Sequence, residues 1–272
     1  MSYPPERIIC LTEETVETLY LLGEERRIVG VSGYAVRPPE VRRDKPRVSA
    51  FISADVPKIM ALRPDLVLTF SDLQADIVRD LVKAGVAVHA FNQRDVAGIL
   101  AMIRTLGALA GCVDRASALV DSLARRLDGV REAASRARHR PRVYFEEWDE
   151  PMICGIRWVS ELIDIAGGTD VFADRARAPA ATGRIVSTDD VIAATPDIIV
   201  GSWCGKKFVP ARVVARPGFD GVPAVQRQAL HEIKSPIILQ PGPAALTDGL
   251  DRLRTIITTC DARPDRGGAD AI

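Results

Sequence analysis

The sequence predicts an α/β protein made of two Rossmann-like lobes with parallel sheets, joined by one long bridging helix. Three observations predict it. The layout of the first half recurs in the second: Ile59-Met60-Ala61-Leu62-Arg63-Pro64-Asp65-Leu66-Val67-Leu68 is answered by Val191-Ile192-Ala193-Ala194-Thr195-Pro196-Asp197-Ile198-Ile199-Val200, with the Pro-Asp pairs 132 positions apart. Helix-like and strand-like stretches alternate, which implies parallel strands joined by right-handed crossovers. Between the halves, Cys112 to Arg138 is rich in Ala, Leu, Arg and Asp, places Ala118-Leu119, Leu123, Leu127 and Val130 at helical spacing, and has no proline. That is the pattern of one stiff connecting helix.

Each element follows from its residues. Arg7-Ile8-Ile9-Cys10-Leu11 is an apolar run that reads as a buried strand over 7–11. Thr12-Glu13-Glu14 opens a helix over 13–22, stopped by Gly23, a residue suited to a left-handed cap. A strand over 27–31 follows. In the repeated stretch, helical spacing over 55–62 ends before Pro64, because the residue before proline avoids the α region. Leu66-Val67-Leu68 then lies in a buried strand over 65–70. Helix 73–84, strand 86–91 and helix 95–110 complete the first lobe. The second lobe reads as strand 142–146, helix 158–166 ending at Gly167, a short strand near 170–172, helix 188–194 and strand 197–202. A loop with a short helix near 210–226, strand 229–233 and helix 243–259 complete it. The domains are thus 1–111, a bridging helix 112–139, and 140–260. A polar tail over 261–272 is expected to be disordered.

Composition narrows the function. Lys plus Arg and Asp plus Glu both number 36, so bulk charge gives no reason to seek nucleic acid or an anionic membrane. No run of about 18 or more apolar residues exists to form a membrane span. The chain begins Met1-Ser2-Tyr3-Pro4-Pro5-Glu6, without a basic segment leading into an apolar one. Five widely spaced cysteines without a CxxC predict buried, reduced thiols and neither a disulfide framework nor a zinc site. Together these predict a cytoplasmic protein, with a periplasmic home the alternative if translation starts upstream. His89 and His231 fall inside predicted strands at matching places, which predicts packing. There is no GxGxxG, GxxxxGK[ST] or GxSxG motif, so no catalytic residue and no metal ligand is assigned.

In open parallel sheets, ligands bind beyond the carboxyl ends of the strands. Those positions hold Glu13 and Glu14, then Tyr34 and Arg37, and in the second lobe Glu146-Glu147-Trp148 and Ser202-Trp203-Cys204-Gly205-Lys206. Trp148 and Trp203 fall at strand ends and Trp158 opens a helix, so the three tryptophans could line one wall of a cleft between the lobes. Flat apolar faces suit a large conjugated ligand, while Arg37, Arg184 and Lys206 could hold polar groups at its rim. On this reading Trp148→Ala or Trp203→Ala weakens binding and leaves the fold intact. Plainer readings stand beside these. Each tryptophan could pack against a neighbouring loop, Glu13 and Glu14 suit a first helical turn on dipole grounds alone, and Glu146-Glu147 with Asp149-Glu150 could be a solvated acidic loop.

Arg7-Ile8-Ile9-Cys10-Leu11 with its Thr-Glu helix, Ile28-Val29-Gly30-Val31 with Tyr34 and Pro38-Pro39-Glu40, Ala61-Leu62-Arg63-Pro64-Asp65-Leu66-Val67, and Trp158 to Gly168 resemble the cobalamin and iron-siderophore substrate-binding proteins of ABC importers. The resemblance runs to about residue 260. Glu146-Glu147-Trp148-Asp149 and the loop from Gly201 to Phe208 look closest to the cobalamin-binding members. It implies a monomer that binds cobalamin or another corrinoid, or else a ferric siderophore or haem, without catalysis. The candidate ligand-binding residues are Glu13, Glu14, Tyr34, Arg37, Phe51, Glu146, Trp148, Trp158, Arg184, Trp203, Cys204 and Lys206. Members that dock on an ABC permease carry an acid on each lobe; the repeat puts those positions at Pro57 and Asp189, of which only the second is acidic. The alternative from another class is an enzyme or electron-transfer component of a two-lobed metallocluster type.

Overall fold

The computed structural model describes residues 3–261. The expected disordered tail lies outside them, apart from Asp261, which closes the helix Leu250–Asp261. The chain forms two compact units, Met1–Arg125 with Gln240–Ala244, and Arg126–Leu239 with Ala245–Ile272. The division falls inside the helix Val113–Ser135.

The first unit is built on five parallel strands: β1 (Ile8–Cys10), β2 (Ile28–Ser32), β3 (Arg47–Ser49), β4 (Leu66–Phe70) and β5 (Val88–Phe91), in the order β3-β2-β1-β4-β5. β1 is central and wholly buried, which is why its residues are apolar without alternation. Ile9, Leu11, Ile59, Val67, Ile77 and Leu81 form part of the core beside it. The chain runs from β1 out to β3, then returns to β4 and β5. Its direction of winding therefore reverses between β1 and β4, and the crevice beyond their carboxyl ends is where such a sheet accepts a ligand. β3 escapes sequence reading because Arg47-Val48-Ser49 has a single apolar residue.

The second unit holds β6 (Arg142–Asp149), β7 (Met152–Cys154), β8 (Thr169–Asp170), β9 (Ile198–Gly201) and β10 (Leu230–Glu232), in the order β10-β9-β6-β7, with β8 also on β6. Here the reversal falls between β6 and β9. Three expectations change. The sheet is mixed, because β7 folds back antiparallel on β6 through Glu150 and Pro151. β6 also continues to Asp149, past the predicted end at 146. The last helix starts at Leu250 because residues 240–244 pack with the first unit and Ala245–Gly249 is wound more loosely, as a π-turn.

The Pro-Asp repeat proves to be a corner brace. In the first unit Arg7 donates to Leu62 O (2.8 Å), the end of the helix Val56–Ala61, while Asp65 Oδ2 accepts from the backbone N–H groups of Glu6 and Arg7 (2.9 and 3.0 Å). In the second, Arg142 donates to Ala194 O (2.9 Å) and Asp197 Oδ2 accepts from Arg142 N (2.9 Å). Arg63 and Thr195, the residues before the two prolines, both take left-handed φ, 46° and 39°. That departs from the extended conformation expected before proline.

Candidate functional site

The carboxyl edge of the first sheet gathers residues from four loops. β1 passes to Thr12 and the helix Glu13–Leu21. Glu13 and Glu14 point inward, 6% and 1% exposed, and Glu13 Oε2 and Glu14 Oε1 have no hydrogen-bond partner. These are not solvated first-turn acids. Burial pushes Glu13 up to about 7, and burial together with the neighbouring Glu13 pushes Glu14 up to about 8. The loops after the neighbouring strands carry exposed apolar side chains: Tyr34 (53%) after β2, Ile52 (71%) after β3 and Leu73 (60%) after β4, with Phe51 half-buried. Buried Gln74 fixes their spacing, donating to Leu11 O (3.1 Å) and Phe51 O (2.8 Å) and accepting from Phe70 N (3.0 Å). Arg37 donates to Glu17 Oε1 (2.9 Å). Sequence reasoning missed Ile52 and Leu73; the available signal was a large apolar residue in a loop directly after a strand.

In the second unit the tryptophans part company. Trp203 is 1% exposed and donates to Glu146 Oε1 (2.8 Å). Glu146 is itself fully buried, accepting from Tyr144 OH (2.9 Å) and from both terminal nitrogens of Arg216 (2.5 and 3.0 Å). Trp158 is buried and donates to Ile238 O (2.9 Å). Trp203, Trp158 and Glu146 therefore belong to the core, against the expectation of a ligand wall. Trp148 alone remains half-exposed, its indole N–H on Glu150 O (2.8 Å) and Lys206 Nζ 4.0 Å above its ring.

The acidic stretch is likewise no solvated loop. It lies on β6 and each acid meets a cation. Arg216 faces Glu146, Arg184 grips Glu147 with two nitrogens (2.6 and 3.1 Å), and Asp149 meets Lys206 and Arg212. Lys206 and Arg212 hold Asp149 below the usual carboxylate range despite its burial. Arg184, expected at the rim, is buried and also donates to Cys154 O (2.6 Å). Cys10, Cys112 and Cys154 are buried as expected, whereas Cys204 is exposed and Cys260 partly so; none is in a disulfide. His89 packs edge-on against Phe91 at 4.3 Å within β5, as its place in a strand predicts. Pro57 and Asp189 are exposed, each the second residue of a helix, Val56–Ala61 and Thr188–Ala193.

Residues 8–236 match the periplasmic binding protein family, most of the described chain. The chain belongs to that family. Family members bind solutes and are not enzymes, so the enzyme alternative finds no support. The chain is similar to the uncharacterized ABC transporter substrate-binding lipoprotein YvrC of Bacillus subtilis, 25% identical over 260 residues, covering 92% of this chain and 79% of that one. It is 26% identical over 202 residues to the cobalamin-binding protein of Halobacterium salinarum, covering 72% of this chain and 53% of that one. The chain thus spans about half the length of the Halobacterium relative. Among solved structures, the periplasmic vitamin B12 binding protein BtuF of Vibrio cholerae shares the fold with a TM-score of 0.76, 22% identity, and 96% and 99% of the two chains covered. The expectation of a cytoplasmic home gains no support from relatives named as a lipoprotein and as periplasmic. Among the described residues no helix is long and apolar enough to cross a membrane.

Proposed function

We propose that the chain is the binding component of an ABC importer for a corrinoid, cobalamin in the first instance, and works outside the cytoplasm. One observation carries the choice of ligand. The three cations expected to hold a ligand's acidic groups are already committed inside their own units: Arg37 to Glu17, Arg184 to Glu147 and Lys206 to Asp149. What stands exposed or half-exposed at the strand ends of the first unit is mainly aromatic and apolar, namely Tyr34, Phe51, Ile52 and Leu73. A macrocycle with neutral amide arms suits that lining better than a polyanionic chelate, since each unpaired ligand carboxylate left without a cation loses binding energy. The cobalamin-binding Halobacterium relative supports the same choice.

Titration of the purified protein with cyanocobalamin, haemin and a ferric hydroxamate, followed by tryptophan fluorescence and the visible spectrum, tests this. Cyanocobalamin should quench emission with a saturable isotherm. Failure of cyanocobalamin beside a positive result for another chelate would reassign the ligand.

Haem is the second reading, favoured by the exposed phenol of Tyr34, because a tyrosine oxygen is among the axial ligands haem iron accepts. Tyr34→Phe would abolish a haem charge-transfer band and leave cobalamin affinity nearly unchanged.

Docking on a permease would use Asp189. Exposed Asp55, which caps the helix Val56–Ala61 by accepting from Lys58 N (2.9 Å), offers a carboxylate two residues from Pro57. Fractionation of the native host tests the location; recovery wholly in the cytosol would overturn it.

A further inference from the structure

We propose that Glu13 and Glu14 form a proton-dependent clasp that seats the segment Gln240–Ala244 on the first unit. The segment interrupts the second unit's sequence yet packs with the first. Contacts from three residues of the first unit help to hold it. Gln93 Nε2 donates to Pro241 O (3.0 Å), and Ala244 N donates to Glu17 Oε2 (3.0 Å). Gly242 lies flat on Glu14, so close that a Cβ there would stand 2.5 Å from Glu14 Cβ and 3.1 Å from its Cα. Only glycine fits that approach.

At Glu14 and Gln93, which touch the segment, and at Glu13 beside Glu14, the unpaired buried atoms are all acceptors. Glu13 Oε2, Glu14 Oε1 and Gln93 Oε1 are buried acceptors without a donor. A carboxyl in that position is tolerable when neutral and very costly when charged.

Hydrogen bonds from its own backbone and from Thr12 favour the charged form of Glu14, but burial and the neighbouring Glu13 outweigh them. Cys10 on β1 is neutral, its thiol pushed up to about 12 by burial, and Lys45 acts on Cys10. Thr12 and Thr15 hydrogen-bond each other (2.8 Å), and Thr18 donates to Glu14 O (2.7 Å). Glu17, one turn along the helix, is taken up by Arg37 and Ala244 N. Asp95, beyond Gln93, accepts from Gly98 N (2.7 Å). The segment itself, Gln-Pro-Gly-Pro-Ala, carries no ionisable side chain. When the pair ionises, two adjacent carboxylates need water, and Glu14 gains it by lifting the glycine that covers it.

Solution NMR of the full chain without ligand tests the clasp, which stands whether or not the corrinoid reading holds. Exchange protection of the Gly242 and Ala244 amides, corrected for base catalysis, should fall at least about tenfold between about pH 6 and about pH 9 in the wild type. In Glu14→Gln, which stays neutral, it should stay within about threefold across the same range. Protection unchanged in the wild type, or lost in parallel in Glu14→Gln, overturns the proposal. Should Glu14→Gln fail to fold, the carbon-13 titration of the wild-type Glu14 carboxyl decides: a midpoint shared with the amides supports the clasp, and ionisation complete below about pH 5 overturns it.

Discussion

Trp203→Ala distinguishes a core tryptophan from a binding-site one. The indole is almost wholly enclosed, meets Phe208 edge-on at 5.0 Å and donates to Glu146. Removing about 150–200 Å² of buried aromatic surface at about 25 cal/mol per Å² costs about 4–5 kcal/mol. The loss leaves a cavity and takes one donor from a buried carboxylate, so about 4 kcal/mol is a conservative figure within the range for such truncations. At about 2–4 °C per kcal/mol the melting temperature should fall by about 8–16 °C. Circular dichroism melts and urea titration measure this, with Trp148→Ala as control. Trp148 is half-exposed and stacks under Lys206, so its loss should cost about 1 kcal/mol or less in stability and about 1–3 kcal/mol in cyanocobalamin affinity. A Trp203→Ala protein that melts within about 2 °C of wild type would refute the reasoning.

Glu146→Gln should cost about 3 kcal/mol in urea unfolding, because it leaves the Arg216 guanidinium facing a neutral group in the core; an unchanged midpoint would sink this assignment. Stability should fall as pH rises from about 4.5 towards about 8, since Glu13 and Glu14 ionise in the unfolded chain first and retain their protons in the folded one. Below 4.5 both states are protonated and this contribution is fully present, so Glu14→Gln should flatten the curve; a wild-type profile without the decline would refute it. Ile52→Ser with Leu73→Ser should weaken cyanocobalamin binding by about 2 kcal/mol and leave the melting temperature within about 3 °C, because both side chains already face solvent; undiminished affinity would remove that rim from the site.

Long-period features were readable from sequence and side-chain destinations were not. The Pro-Asp repeat, the strands around it and the helix Val113–Ser135 announce themselves through apolar periodicity. β3, Arg47-Val48-Ser49, and β7, Met152-Ile153-Cys154 directly after a turn, lack the longer apolar run that flanks the equally short β1. The site shows the same divide. Position after a strand marks Tyr34 as an outward residue, and Trp148 is half-exposed although it lies within β6, yet the same argument misplaces Trp203, whose indole turns back to Glu146. Nor could sequence reveal that Arg216, 70 residues from Glu146, neutralises it. Glu13 and Glu14 were found by place, but Gly242, which covers Glu14, lies far along the chain.

The paired corner braces carry a consequence for how the molecule tolerates damage. Arg7 with Asp65, and Arg142 with Asp197, each close a junction using only partners from their own unit. Neither copy borrows from its twin. A lesion at Asp197 should therefore loosen one half while the other keeps its shape, so the duplication gives the chain two separately failing parts where a single shared joint would have made every such defect global.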